Sequence, residues 1–193
     1  MKVTQYSEGC GALISDIQLA DLGDTQLEEL RTVFTQHGLL FFRDQDFSPQ
    51  DHLQFAQRFG SIVVNKFFKA TEQFPKIAEV RKDKNQQTNI GGGWHTDHSY
   101  DDIPAMGSIL VARKLPETGG DTQFANLANA YDALSPNLKS RIENLRAVHS
   151  NKHLYGENGL YRMTDLAEHL GGIDRVGDAT HPVVIIHPES GRK

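Results

Sequence analysis

Apolar residues in this chain come mostly as short continuous runs set between polar, glycine-bearing stretches, and helical spacing is confined to a few segments. Gly11-Ala12-Leu13-Ile14 reads as a short strand. A helix is predicted over 25–37: Asp24 stands where a cap belongs, Leu27, Leu30, Val33 and Phe34 fall on one face, and Gly38 sits where a helix stops. The continuous run Leu39-Leu40-Phe41-Phe42 predicts a strand buried on both faces. Ser48-Pro49 then opens a second helix with Leu53, Phe55, Ala56 and Phe59 on its buried side, ended by Gly60.

Beyond Gly60 the pattern turns to strands and loops. Ile62-Val63-Val64 and Ile77-Ala78-Glu79-Val80 read as strands separated by a loop bearing Asn65, Phe67 and Phe68, and the polar 81–93 stretch reads as a mobile loop. Further strands are predicted at 108–112, at 121–125 after the turn Glu117-Thr118-Gly119-Gly120, at 147–150 and at 182–187. Helices are predicted over 127–134, after Ser135-Pro136, and over 164–170. The final apolar strand runs into Pro188-Glu189-Ser190-Gly191, a hairpin turn with no return strand after it. Since natural sheets cover such edges, the chain is expected to be cut short, and poorly folded alone.

Composition narrows the function classes. With 193 residues, 38% of them hydrophobic, the chain suits one domain, 1–193, able to build a core. The formal charge of -5 with interspersed acids and bases argues against nucleic-acid binding. Cys10 is the only cysteine, which excludes intrachain disulfides and fits a reducing compartment. No apolar stretch approaches membrane-spanning length and no signal-peptide pattern opens the chain, so a cytoplasmic location away from membranes is expected.

Candidate chemistry gathers at Gly91-Gly92-Gly93-Trp94-His95-Thr96-Asp97-His98-Ser99-Tyr100. In an extended segment, residues two apart point to one face, so His95 and Asp97 are placed to grip one ion while Thr96 and His98 face away. A His and a carboxylate are two of the three ligands of the facial triad that holds non-haem Fe(II) with positions left open. The triplet alone is weak evidence, because a shuffled chain of this composition holds about 0.7 of them by chance. His187-Pro188-Glu189 has the same form and is assigned no chemistry.

Ordered motifs along nearly the whole chain strengthen the reading: Gly38-Leu39-Leu40-Phe41-Phe42-Arg43-Asp44-Gln45, Gln57-Arg58-Phe59-Gly60, Trp94-His95-Thr96-Asp97, Leu115-Pro116-Glu117-Thr118-Gly119-Gly120-Asp121-Thr122 and His181-Pro182-Val183-Val184. In these the chain resembles the TauD/TfdA-type, or taurine catabolism dioxygenase, family of iron(II)- and 2-oxoglutarate-dependent oxygenases. The resemblance implies a mainly β fold with flanking helices, a double-stranded β-helix or jelly roll of the clavaminate synthase-like kind, incomplete at the C-terminus. It implies His95 and Asp97 as metal ligands for Fe(2+) and Thr122 as the hydroxyl that contacts 2-oxoglutarate. The family's distal iron-binding His and the Arg that clamps 2-oxoglutarate lie past the terminal hairpin, and no internal histidine (His149, His153, His181 or His187) is the expected substitute.

The implied activity is that of an oxidoreductase: O2 and 2-oxoglutarate are consumed, a C–H bond of a small organic substrate is hydroxylated, and succinate and CO2 are released. Substrate positions implied by the family are Asn65, Phe68, Gly91, Leu154 and Tyr155, and a homo-oligomer is compatible with it. Two other classes stay open. A dinuclear zinc hydrolase would want a His where Gly93 stands, and a non-catalytic or fragmentary family member would lack a complete metal site.

Overall fold

The computed structural model describes residues 1–65, 67–68, 70–167, 170 and 176–193. These divide into two compact units, one made of 1–55, 110–145 and 183–193, the other of 56–109 and 146–182.

In the first unit, β1 (Lys2–Gln5) pairs antiparallel with β2 (Ala12–Ser15), and β2 pairs parallel with β3 (Leu40–Phe42). Alternation along β2 buries Ala12 and Ile14 against the core while Leu13 and Ser15 stay half-buried. Strand β1 has no apolar run and is held by its pairing, which is why hydrophobic pattern misses it. Strand β3 is half-buried along its length rather than buried on both faces, since it lies at the edge of this three-stranded sheet.

Helix α1 (Asp24–His37) buries Leu30 and Val33. Its N-cap is Gly23, whose N–H donates to Gln26 Oε1 at 3.1 Å. Asp24 lies inside the first turn, where a carboxylate suits the positive end of the helix, instead of capping it. Gly38 ends the helix at φ 71°, and its N–H donates to Phe34 O at 2.7 Å, the left-handed stop that favours glycine. Helix α2 (Pro49–Phe59) opens with Ser48, whose Oγ accepts from Asp51 N–H at 3.2 Å while the Asp51 carboxylate accepts from Ser48 N–H at 2.9 Å. Only Phe55 of its apolar face is fully buried. Two short helices follow, α3 (Leu127–Asp132) and α4 (Pro136–Ile142), the latter capped by the Ser135 hydroxyl.

In the second unit, β4 (Arg146–Ser150) pairs antiparallel with β5 (Asp178–Pro182), in the register Arg146 to Pro182 and Ser150 to Asp178. A short helix α5 (Lys152–Tyr155) and a 3-10 turn, Leu160–Met163, lie in the connection.

Several predicted strands do not form. Ile62-Val63-Val64, 108–112 and 121–125 are irregular, and Ile77-Ala78-Glu79-Val80 makes only an isolated bridge between Ala78 and Ala70. A strand is held by its cross-strand partners. These runs join no ladder among the described residues, so Val63, Val64, Val80 and Leu110 remain exposed. The predicted strand at 182–187 is displaced: β4 pairs with the more polar Asp178–Pro182, the Val183 N–H still reaches Leu145 O at 2.9 Å, and Ile185 and Ile186 are exposed. The helix predicted over 164–170 is a turn over its described part up to Ala167; Glu168 and His169 lie outside the described residues.

The terminal turn is docked on the first unit. It closes on itself through His187 N–H to Arg192 O at 2.8 Å and Gly191 N–H to His187 O at 2.9 Å. Glu189 accepts from Thr35 Oγ1 at 2.7 Å and Arg31 at 3.0 Å, both on α1, and Arg192 donates to Asn129 and Asp132 of α3. The hydrogen bond from Thr35, then that from Arg31, holds the Glu189 carboxyl below its ordinary range. A depressed carboxyl stabilises the fold above its unfolded value and loses that contribution as pH falls through its folded value. Acid titration of thermal stability is therefore expected to show a loss below the ordinary Glu value that Glu189→Gln shrinks; an unchanged acid limb in that variant would remove Glu189 from the account.

Candidate metal site

The loop from Gly91 to Tyr100 carries the predicted ligand pair without forming a strand. His95 Nε2 stands 3.2 Å from Asp97 Oδ1, so the two side chains converge as expected. Their alternation is not that of a ladder: residues 97–100 form a turn, and His98, at φ 55°, leaves through it to bond Asp101 Oδ2 from Nδ1 at 2.9 Å. Asp97 also accepts from Ser108 Oγ at 3.2 Å.

The fit of this pair to a metal ion rests on the other imidazole nitrogen. His95 Nδ1 lies 2.7 Å from Gly93 O, a contact that requires an N–H there and leaves Nε2 as the nitrogen that faces the carboxylate. Two ligand atoms on adjacent positions of an ion, with bonds of about 2.1 Å, stand about 3 Å apart, close to the separation seen. The side chains are 53% and 62% exposed, which leaves room for an ion and further ligands. Among the described residues no group of three His, Cys, Asp or Glu side chains converges.

Beside the pair stands a set of stacked rings. Phe67 stacks on Tyr155 with centroids 4.0 Å apart and meets Tyr100 edge-on at 5.8 Å; Tyr155 meets Tyr161 edge-on at 5.5 Å, and Tyr100 lies 5.5 Å from His98. Burial, then the charges of Asp101 and Asp97, pushes the Tyr100 phenol up to about 12. Tyr155 is raised further, by burial first and then by Tyr161, Tyr100 and Asp97. Both phenols therefore stay neutral and remain donors over the whole physiological range.

The candidate substrate positions divide. Gly91 and Tyr155 join this aromatic set, because the Gly91 N–H donates to Tyr161 Oη at 3.0 Å and Tyr161 packs on Tyr155. Asn65 lies at the start of the turn that aims Phe67: its Oδ1 accepts from Phe67 N–H at 2.8 Å and Phe68 N–H at 3.0 Å. Phe68 makes an isolated bridge with Leu170, and Leu154 is half-buried in α5. Thr122 belongs to the first unit, exposed in an irregular segment that follows Gly119 and Gly120 at φ 78° and 75°. Tyr100 and Tyr161 escape sequence reasoning because each lies in a turn without hydrophobic period; a Tyr in a polar segment is the one available signal.

Comparison with known proteins agrees with this chemistry. The chain is 33% identical over 187 residues to the (S)-phenoxypropionate/alpha-ketoglutarate-dioxygenase of Sphingobium herbicidovorans, across 95% of this chain and 65% of that protein. It is 36% identical over 190 residues to an alkylsulfatase of Acinetobacter baylyi, across 95% and 58%. Among solved structures, a taurine dioxygenase from Burkholderia xenovorans superposes with a TM-score of 0.77 at 27% identity, over 99% of this chain and 60% of the other. AAD-2 in complex with Mn(II) and N-oxalylglycine superposes at 0.72 and 28%, over 99% and 66%. The chain thus spans about two thirds or less of each of these relatives, and has the fold of the corresponding part. The family described as taurine catabolism dioxygenase TauD, TfdA matches residues 2–193, and the chain belongs to that family.

Proposed function

We propose that the protein carrying this chain is an Fe(II)- and 2-oxoglutarate-dependent dioxygenase that hydroxylates a C–H bond of a small organic substrate, built on a double-stranded β-helix of which 1–193 forms part of one domain. The observation that carries the reading is the His95 pair geometry: Nδ1 committed to Gly93 O and Nε2 facing Asp97 at 3.2 Å. Fe(II), when bound, would supply the chemistry by which O2 and 2-oxoglutarate become the oxidant, succinate and CO2. His95 and Asp97 would hold it on adjacent positions, and Gly93 O would fix the imidazole plane. The Thr122 hydroxyl would contact 2-oxoglutarate. Phe67, Tyr100 and Tyr155 would exclude water beside Asp97 and offer ring faces to the substrate. The single cysteine, Cys10, fits work in the cytoplasm.

Replacing His95 or Asp97 with Ala in the full-length protein is expected to abolish 2-oxoglutarate-dependent succinate formation together with Fe(II) binding. Succinate production persisting in either variant would remove the metal assignment. Thr122→Val, which deletes one hydrogen bond of about 0.5–1.5 kcal/mol, is expected to raise the 2-oxoglutarate KM by a few-fold while leaving Fe(II) affinity unchanged.

A bulky, largely apolar organic acid is the substrate class this wall favours over taurine. Asn65 brings no positive charge to a sulfonate, its carbonyl oxygen is engaged by the turn, and stacked rings stand behind it. The relative at 33% identity whose name carries phenoxypropionate lends support. Sulfite release from taurine, measured beside turnover of a panel of aryloxy and alkyl acids, is expected to be the slower reaction; efficient sulfite release would overturn the assignment of Asn65 and the aromatic wall.

A further inference from the structure

The 81–93 segment that delivers His95 and Asp97 holds few backbone hydrogen bonds of its own, yet two of its sites are gripped by one short stretch far along the chain. Asp165 accepts from the backbone N–H of Gln87 and, at 3.2 Å, from that of Thr88. Tyr161 Oη accepts from the Gly91 N–H at 3.0 Å. The gripping stretch is itself fixed: Tyr161 is 6% and Leu166 1% exposed, Thr164 Oγ1 donates to Tyr161 O at 3.0 Å, and Arg162 Nε donates to Tyr155 O at 3.1 Å.

The grip reaches the ligand through Gly91. At φ 67° this glycine turns the chain back so closely that a Cβ there would stand 3.2 Å from His95 Cε1. Where Gly91 sits thus sets where the His95 ring can lie, and the Gly91 amide is the group that Tyr161 holds. The same stretch contacts the proposed substrate wall through the edge of Tyr155.

We propose that Tyr161 and Asp165 are positioning residues that clasp the loop at Thr88 and Gly91 and so hold His95 and Asp97 at the spacing a metal ion requires. The clasp is a loss of loop entropy taken in the fold instead of at the moment of binding, so weakening it lowers affinity for the ion. This inference rests on the reading of His95 and Asp97 as metal ligands.

The test uses the full-length protein with Mn(II) as the probe, titrated by the electron paramagnetic resonance signal of the free ion, alongside amide hydrogen exchange of residues 86–97. Tyr161→Phe keeps the buried ring and removes only the acceptor oxygen. Asp165→Ala removes the second clasp, and Asp165→Asn restores one acceptor. Loss of one such bond is expected to weaken Mn(II) binding by about 2- to 10-fold and to speed exchange at Gly91 in the first variant and at Gln87 and Thr88 in the second, with partial recovery in Asp165→Asn. Faster exchange with Mn(II) affinity unchanged would show a merely structural tether and overturn the inference, as would unchanged values of both. If Tyr161→Phe fails to fold, the Asp165 pair decides. Should the unaltered protein show no site-specific Mn(II) binding, or His95→Ala bind Mn(II) as tightly as the unaltered protein, the metal reading itself falls, an outcome separate from the response of the two clasp variants.

Discussion

A backbone amide removed from water needs an acceptor, and between Gly60 and Ile109 the described chain forms neither helix nor ladder that could provide one. Side chains share that duty with a few turn carbonyls. Asn65 Oδ1 serves two amides, the Asp165 carboxylate two more, and the Tyr161 oxygen one. The approach to His95 at 87–91 is thus held by side-chain acceptors from 161–165, while Asn65 fixes its own turn at Phe67 and Phe68. The bonds at Phe67, Phe68 and Gly91 are part-buried, where a lost partner costs most, while those at Gln87 and Thr88 are exposed and cost less to lose. This support also explains how irregular backbone can hold His95 Nε2 and Asp97 Oδ1 at a defined separation.

Electrostatics follow from the same arrangement. The stacked rings desolvate their own hydroxyls, and the nearby carboxylates of Asp97 and Asp101 disfavour a phenolate further, which is why Tyr100 is pushed up to about 12. A cation held by Asp97 would offset part of that field. Asp165 shows the opposite balance: the Thr88 side chain, then the Gln87 amide, lowers its carboxyl below the ordinary range, which favours the charged, accepting form.

What was legible in the sequence was local. Helices α1 and α2 carry their start and stop signals within a turn of themselves, in Gly38 and in Ser48-Pro49, and both were placed to within a residue. The convergence of the His95 and Asp97 side chains was legible for the same reason, since a spacing of two residues needs no knowledge of the fold. The apolar runs at 62–64, 108–112 and 182–187 were misread because a strand depends on a partner whose identity no run contains. The clasp at Tyr161 and Asp165 was hidden for a related reason: its contacts span some seventy residues and link two segments without period. Family motifs supplied Thr122, which no feature of its own exposed segment singles out.

The division into two units is discontinuous, with the chain passing between them at four points, after Phe55, Ile109, Leu145 and Pro182. Neither unit exists as an uninterrupted stretch of polypeptide. On the ribosome, then, the first unit cannot close until Glu189 has emerged to meet Arg31 and Thr35 on a helix made more than a hundred and fifty residues earlier. The second waits for β5 to reach β4. The closing contacts of both units thus join segments far apart in the chain, pairings that form late because the entropy of a long loop is lost before the contact is made.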